Sequence, residues 1–188
     1  SEAQQAFGSG DLYVEELLPL ARHVEVQILG DGSGAVVHLW DRECSLQRQR
    51  QKLVEIAPAM GLSDSLRQSM LDAAVRLGSA AKYKGVGNIE YLVDERPEAG
   101  DRFVFMEANA RLQVEHTVTE EVTGLDLVAH QLRIASGESL DSLGIDQAAI
   151  PAARGAAIQV RVNLETMAPD GTARPGGGQL KVYEPPSG

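Results

Sequence analysis

Residues 23–29, HVEVQIL, alternate without a break: His23, Glu25 and Gln27 face one way, Val24, Val26 and Ile28 the other. A period of two is that of a half-buried strand. GDGSG at 30–34 has the composition of a hairpin loop, and AVVHLW at 35–40 is the returning strand. Strands joined by so short a loop must run antiparallel. Downstream, Ser63 is a helix N-cap with Asp64 in the first turn, and Leu66, Met70, Ala73, Ala74, Leu77 and Ala81 recur at helical spacing. The spacing predicts an amphipathic helix over 64–82. Gly85 and Gly87 break the chain, NIEYLV at 88–93 is a strand, and RFVFMEANARLQVE is a second strand with its extension. Asp126 caps a helix over 127–136 that Gly137 closes. Shorter strands are expected at 11–18, 156–165 and 179–185, with loop at 138–155. Strand pair, helix, strand pair, helix, strands is an α+β order with a mixed or antiparallel sheet, not βαβ alternation.

The net charge of −10 excludes a nucleic-acid surface, which needs clustered Lys and Arg. It leaves a nucleotide site open, because phosphates need only local cations, amides and a metal. No stretch of about 18 apolar residues predicts a membrane span, and no signal peptide is visible. The single cysteine, Cys44, has no base beside it in sequence; it reads as a buried thiol in a reducing, cytoplasmic setting.

The segment 107–115, EANARLQVE, carries Glu107, Asn109, Arg111, Gln113 and Glu115 at every second position, with small or apolar residues between. On a strand these five line one face. The run spans about 26 Å at about 3.3 Å per residue, so they cannot all meet one atom. On these residues alone the face is either a solvated strand or a site for two ligands or one long one. Glu90 lies on the preceding strand, and antiparallel pairing brings it beside Glu107. Two adjacent carboxylates repel unless a cation sits between them. Magnesium binds through one or two carboxylates and completes its shell with water and phosphate oxygens. Glu90, Glu107 and Asn109 therefore form a candidate metal–nucleotide clamp; unpaired surface glutamates are the alternative. In SLQRQRQK at 45–52, Arg48, Arg50 and Lys52 share a face if the stretch is extended, which suits an anion. GGG at 176–178 lacks the Lys-Ser/Thr of a P-loop and reads as loop. His38, His116 and His130 lack metal-ligand spacing.

Taken together, HVEVQILGDGSG, DRECSLQRQRQKLVEIAPA, GVGNIEYLV, FMEANARLQVEHTVTEEVTGLDLVAHQLRIASG and AAIQVRVNLE resemble the biotin carboxylases, in register over nearly the whole chain. These are the ATP-grasp components of acyl-CoA carboxylases, pyruvate carboxylase and urea carboxylase. The block EANARLQVEHTVTE carries most of the specificity. The wider ATP-grasp superfamily shares only a sparse Glu…Glu-x-Asn pattern.

The resemblance implies an ATP-grasp C-terminal half with flanking helices. Residues 1–17 would end the lid, 18–150 would form the Mg-ATP and bicarbonate subdomain, and 151–188 would begin the family's C-terminal domain. It implies ATP, Mg²⁺ or Mn²⁺ and bicarbonate as ligands, and biotin on a carrier protein as acceptor. A carboxyltransferase component and a homodimer would be partners. Glu90 and Glu107 would hold the metal, with Asn109 assisting. His23, Gln47 and Arg50 would meet ribose and phosphates, and the backbone from Glu15 to Leu18 the adenine edge. Lys52, Arg111, Gln113 and the Val114 amide would bind bicarbonate, Glu115 would be the general base, and Arg161 would stabilise the biotin oxygen.

Some positions depart from the family pattern. Position 50 is Arg where many relatives carry His, and Gln159 stands where a Glu is common. Residues 94–101 look longer than in the shorter bacterial subunits. The family's doubly wound N-terminal domain and Gly-rich lid loop are not in this sequence, so this stretch alone is expected to be inactive and to bind ATP weakly. The competing expectations are another ATP-grasp ligase, such as a carbamoyl-phosphate synthase large-subunit relative, and a non-catalytic module.

Overall fold

The computed structural model describes residues 4, 5 and 8–184. Its framework is a six-stranded antiparallel sheet built from β1 (Ala21–Asp31), β2 (Val36–Arg48), β3 (Gln51–Ala57), β4 (Lys84–Asp94), β5 (Phe103–Asn109) and β6 (Ala157–Val160), in the spatial order β5-β4-β1-β2-β3-β6. Three helices flank it: α1 (Asp64–Ala80), α2 (His116–Thr123) and α3 (Leu127–Ala135). A separate two-stranded ribbon joins β7 (Glu165–Met167) to β8 (Ala173–Pro175).

The alternation of β1 sorts the two faces. Val24, Val26 and Ile28 pack under α1 with Leu66, Met70, Leu71 and Ala74. On the opposite face Leu29 joins Val37, Leu39, Val86, Leu127 and Ile134 beneath α3. Both predicted caps form: Ser63 Oγ accepts from the Leu66 amide at 3.1 Å, and Asp126 Oδ1 from the Ala129 amide at 2.7 Å. Each satisfies an N–H that the first helical turn would leave unpaired.

Five local expectations need correction. Gly85 and Gly87 do not break the chain but lie inside β4. A Cβ at Gly87 would sit 2.5 Å from the Tyr83 hydroxyl, so glycine permits a close approach within a continuous strand. The β5 strand ends at Asn109, and residues 110–115, expected as its extension, form no strand; the chain goes straight on into α2 at 116–123, where no element was expected. That helix is rich in β-branched residues, but Val118 and Val122 bury against Ala57 and packing overrides propensity. Residues 11–18 form no strand and are mostly exposed. Residues 179–184 likewise pair with nothing in a sheet; Pro185, the last residue of that expected strand, lies outside the described residues. Finally, β6 covers only part of 156–165, and it joins the main sheet by pairing with β3.

Candidate active site

The polar face of β1 and the segment after β5 enclose a cavity of about 860 Å³. That volume suits a nucleotide-sized ligand. Leu18, His23, Gln47, Arg50, Lys52, Glu90, Glu107, Asn109, Arg111, Gln113, Val114, Glu115 and Arg161 all line it. Glu15 does not: it is exposed, ahead of β1. Residues from five strands, β1 to β5, thus meet in one space with residues of the segments before β1, between β2 and β3, after β5 and after β6.

They do not meet as one strand face. Only Glu107 and Asn109 belong to β5; Arg111, Gln113 and Glu115 follow on a turn that curls back into α2, with Glu115 at its N-cap. This overturns the single-face arrangement: the chain must leave the sheet edge to start the helix, and the turn folds the polar positions inward. Nor do Arg48, Arg50 and Lys52 share an extended face. Gln49 and Arg50 form a tight turn, both at positive φ (49° and 66°), so β2 and β3 pair Arg48 with Gln51 and Gln47 with Lys52. Arg48 is directed away and pairs with Glu165, whereas Arg50 and Lys52 reach the cavity.

Lys52 is the hub. Its Nζ donates to Glu25 Oε2 at 2.6 Å, Glu90 Oε1 at 2.8 Å and Glu115 Oε1 at 2.9 Å. Burial alone would lower the affinity of this amine for its proton, but the charge and hydrogen bond of Glu25, with the hydrogen bond to Glu90, outweigh it and the ammonium is held above its ordinary range. Glu115 is 1% exposed, and its second oxygen accepts from Arg161 Nη2 at 2.8 Å. Arg161 is fixed in turn by Glu55 Oε1 at 2.8 Å. Burial pushes Glu115 up, yet the Lys52 hydrogen bond and charge win, so its carboxyl lies below the usual range. Glu90 behaves alike: burial raises it, and hydrogen bonds from His23 and Lys52 bring it well below. His23 Nε2 lies 2.6 Å from Glu90 Oε2, while Nδ1 faces Gln47 Nε2 at 2.6 Å.

Glu90 and Glu107 are direct partners across β4 and β5, as the strand pairing predicted. Asn109 Nδ2 donates to both, at 2.9 and 3.0 Å. These are hard oxygen donors at the cavity wall, and Glu107 has no ion pair among the described residues. The set fits a magnesium-type ion. A tighter cluster, His23, Glu25 and Glu90, has its ligand atoms within 4.8 Å, but Lys52 already supplies the cation there. Arg50 and Arg111 line the cavity with no ionic partner among the described residues, leaving two guanidinium groups available to an anion. Gln113 anchors the turn through Glu90 Oε1 at 3.3 Å and a short hydrogen bond from Asn88.

Sequence reasoning missed Glu25, Arg42, Glu55 and Asn88, all fully buried polar residues behind the cavity. Glu25 was visible as the middle residue of the polar β1 face. The other three gave no signal, because their importance comes from pairing across the sheet.

Paired carboxylates, an ammonium hub and two guanidinium groups without ion pairs among the described residues thus converge on one cavity of an antiparallel sheet. Residues 1–143 match the family model described as "Carbamoyl-phosphate synthase L chain, ATP binding domain", and the chain belongs to that family. It is 49% identical over 183 residues to pyruvate carboxylase 1 of Caenorhabditis elegans, covering 97% of this chain and 15% of that protein. It is 46% identical to a biotin carboxylase of Nostoc, covering 100% of this chain and 40% of that one. The biotin carboxylase domain of Hydrogenobacter thermophilus 2-oxoglutarate carboxylase, solved as a dimer with MgADP, ADP and bicarbonate, superposes with a TM-score of 0.78 at 42% identity, over 87% of this chain and 34% of that one. The chain thus spans well under half the length of these relatives. No helix among the described residues is long and apolar enough to cross a membrane.

Proposed function

We propose that this chain is the metal-nucleotide and bicarbonate part of a biotin carboxylase, acting within a longer biotin-dependent carboxylase. One observation carries the reading: the Lys52–Glu115–Arg161 group and the Glu90–Asn109–Glu107 group open into the same cavity, so an anion at the first can meet a metal-bound phosphate at the second. Relatives at 46–49% identity over nearly the whole chain are a pyruvate carboxylase and a biotin carboxylase, which favours carboxylation of biotin over the carbamoyl-phosphate synthesis named in the family model's description.

Glu90 and Glu107 would hold the magnesium, which when bound neutralises charge on the nucleotide phosphates. Arg50, Gln47 and His23 orient the nucleotide, and residues near Leu18 border its base. Arg111, Lys52, Gln113 and the Val114 amide seat bicarbonate. Glu115 takes the bicarbonate proton, and a bicarbonate oxygen attacks the γ-phosphorus, releasing ADP and giving carboxyphosphate. Alignment and charge compensation carry such a transfer. Carboxyphosphate then splits into CO₂ and phosphate. The phosphate takes the ureido N1 proton of biotin, N1 attacks CO₂, and Arg161 stabilises the negative charge on the biotin oxygen.

In the same reading residues 1–17 end a lid, 18–150 form the central subdomain and 151–188 open a third domain. A biotin carrier and a carboxyltransferase are the partners, the whole protein is a cytoplasmic homodimer, and this chain alone is inert. The test is ATP hydrolysis by the full-length protein. It is expected to require both bicarbonate and biotin, and Glu115→Gln is expected to abolish it. Hydrolysis indifferent to biotin, or undiminished in that variant, refutes the reading.

A further inference from the structure

The β2 strand changes the parity of its side chains partway along. Val37 and Leu39, odd-numbered, pack on the same side as Leu29 of β1. Beyond Trp40 the even-numbered residues take that side: Arg42 pairs with Glu25, and Cys44 is buried near it. The switch is a β-bulge, marked by the register break between Val26 and Ile28. Trp40 sits in it at φ 69°, a left-handed backbone for a bulky residue. Its indole Nε1 donates to Pro151 O at 2.8 Å, which holds the ring. In a regular strand Arg42 would point to the α1 face, because a one-residue slip exchanges faces.

Once turned inward, Arg42 is fully buried and does not line the cavity. Its Nε donates to Glu25 Oε1 at 2.6 Å, and its Nη1 to Gln27 Oε1 at 2.6 Å and Thr119 Oγ1 at 2.8 Å. With Oε1 so held, Glu25 Oε2 meets Lys52 Nζ and Asn88 Nδ2, both at 2.6 Å. Lys52 in turn spans Glu90 and Glu115. The bulge thus sets Arg42 through the backbone, and from Arg42 to the anion pocket the path is a chain of direct hydrogen bonds. A guanidinium suits the inner link, because one rigid planar group reaches Glu25 through Nε and both Gln27 and Thr119 through Nη1, where an ammonium is a single point on a flexible stem.

We propose that Arg42 is a positioning residue for the anion pocket, delivered to it by the Trp40 bulge and acting through Glu25 to set Lys52. The functional side of this rests on the biotin carboxylase reading; the positioning side does not.

The test uses the full-length protein with Arg42→Lys, Trp40→Gly and Trp40→Val. Glycine adopts positive φ freely and valine does not, while both remove the indole. Two readouts are taken on each: the KM for bicarbonate in ATP hydrolysis, and acylation of Lys52 by an amine-directed reagent relative to exposed Lys84, read by peptide mass spectrometry. Arg42→Lys and Trp40→Val are expected to raise the bicarbonate KM about tenfold or more, with the ATP KM changed less. Lys52 labelling rises in the same two variants, and Trp40→Gly stays within about twofold of the parent in both. Unchanged Lys52 labelling in Arg42→Lys, or equal loss in Trp40→Gly and Trp40→Val, overturns the proposal. Altered labelling in Arg42→Lys and Trp40→Val alone, in a protein whose hydrolysis ignores bicarbonate, sustains the positioning and refutes the function.

Discussion

Glu90 and Glu107 stand opposite one another across β4 and β5, and the single amide of Asn109 donates to both carboxylates. Their environments differ. Glu90 is buried and charge-compensated by Lys52, whereas Glu107 is exposed on the cavity wall. The pair therefore offers one fixed and one adaptable oxygen donor. A Mg²⁺ titration followed by NMR should move the Glu90 and Glu107 signals before those of other acidic residues. Glu107→Gln should weaken that response about tenfold or more while leaving the melting temperature within about 2 °C, as for a surface change. Equal response at all surface carboxylates would count against the clamp and favour a merely solvated face.

Arg161 joins two buried carboxylates, Glu55 and Glu115. Arg161→Gln leaves both without their guanidinium partner. Breaking such a buried pair costs roughly 3–5 kcal/mol. Urea unfolding of the variant should show a loss of that order, well above that of Arg133→Gln, whose ion pair with Glu138 is solvent-exposed. Similar losses for the two would contradict the assigned burial.

Acid should destabilise the fold through Glu90 and Glu115. Both are held below the ordinary carboxylate range when folded. As pH falls through about 4.3, the unfolded chain takes up these protons first, so it binds more protons than the native state and stability drops with pH. Their contribution is complete above that value. Glu55, raised by burial, works in the opposite sense. Urea midpoints from about pH 6 to pH 3 should decline, and Glu115→Gln should flatten that decline. An equally steep decline in the variant would remove Glu115 as a source.

The turn at Gln49 and Arg50 is strained, because two non-glycine residues hold positive φ. Asparagine tolerates this backbone better and is favoured at the first position of such turns. Gln49→Asn, which keeps Arg50 facing the cavity, should stabilise the fold by about 1 kcal/mol. A lower melting temperature would show that Gln49 makes a contribution beyond its backbone.

Much of the scaffold was legible because local rules and tertiary structure agreed. The β1 alternation, the Ser63 and Asp126 caps and the Glu90–Glu107 opposition each followed from a period or a cap that packing then reinforced. Failures came where long-range contacts overrode local signals. α2 forms from a β-branched stretch because Val118 and Val122 find a buried surface. The turn after Arg48 contains no Gly or Asn to announce it, and nothing near Trp40 marks a bulge. The site residues were named mainly through their resemblance to a family. Their convergence depends on the bend at 110–115, which strict alternation conceals.

The central claim is that bicarbonate attacks the γ-phosphate within this cavity. Oxygen-18-labelled bicarbonate, given to the full-length protein with Mg-ATP and biotin, tests it directly. One bicarbonate oxygen should appear in each phosphate released, because that oxygen forms the bond to phosphorus and stays there when carboxyphosphate splits. Phosphate carrying no label from bicarbonate would contradict the account.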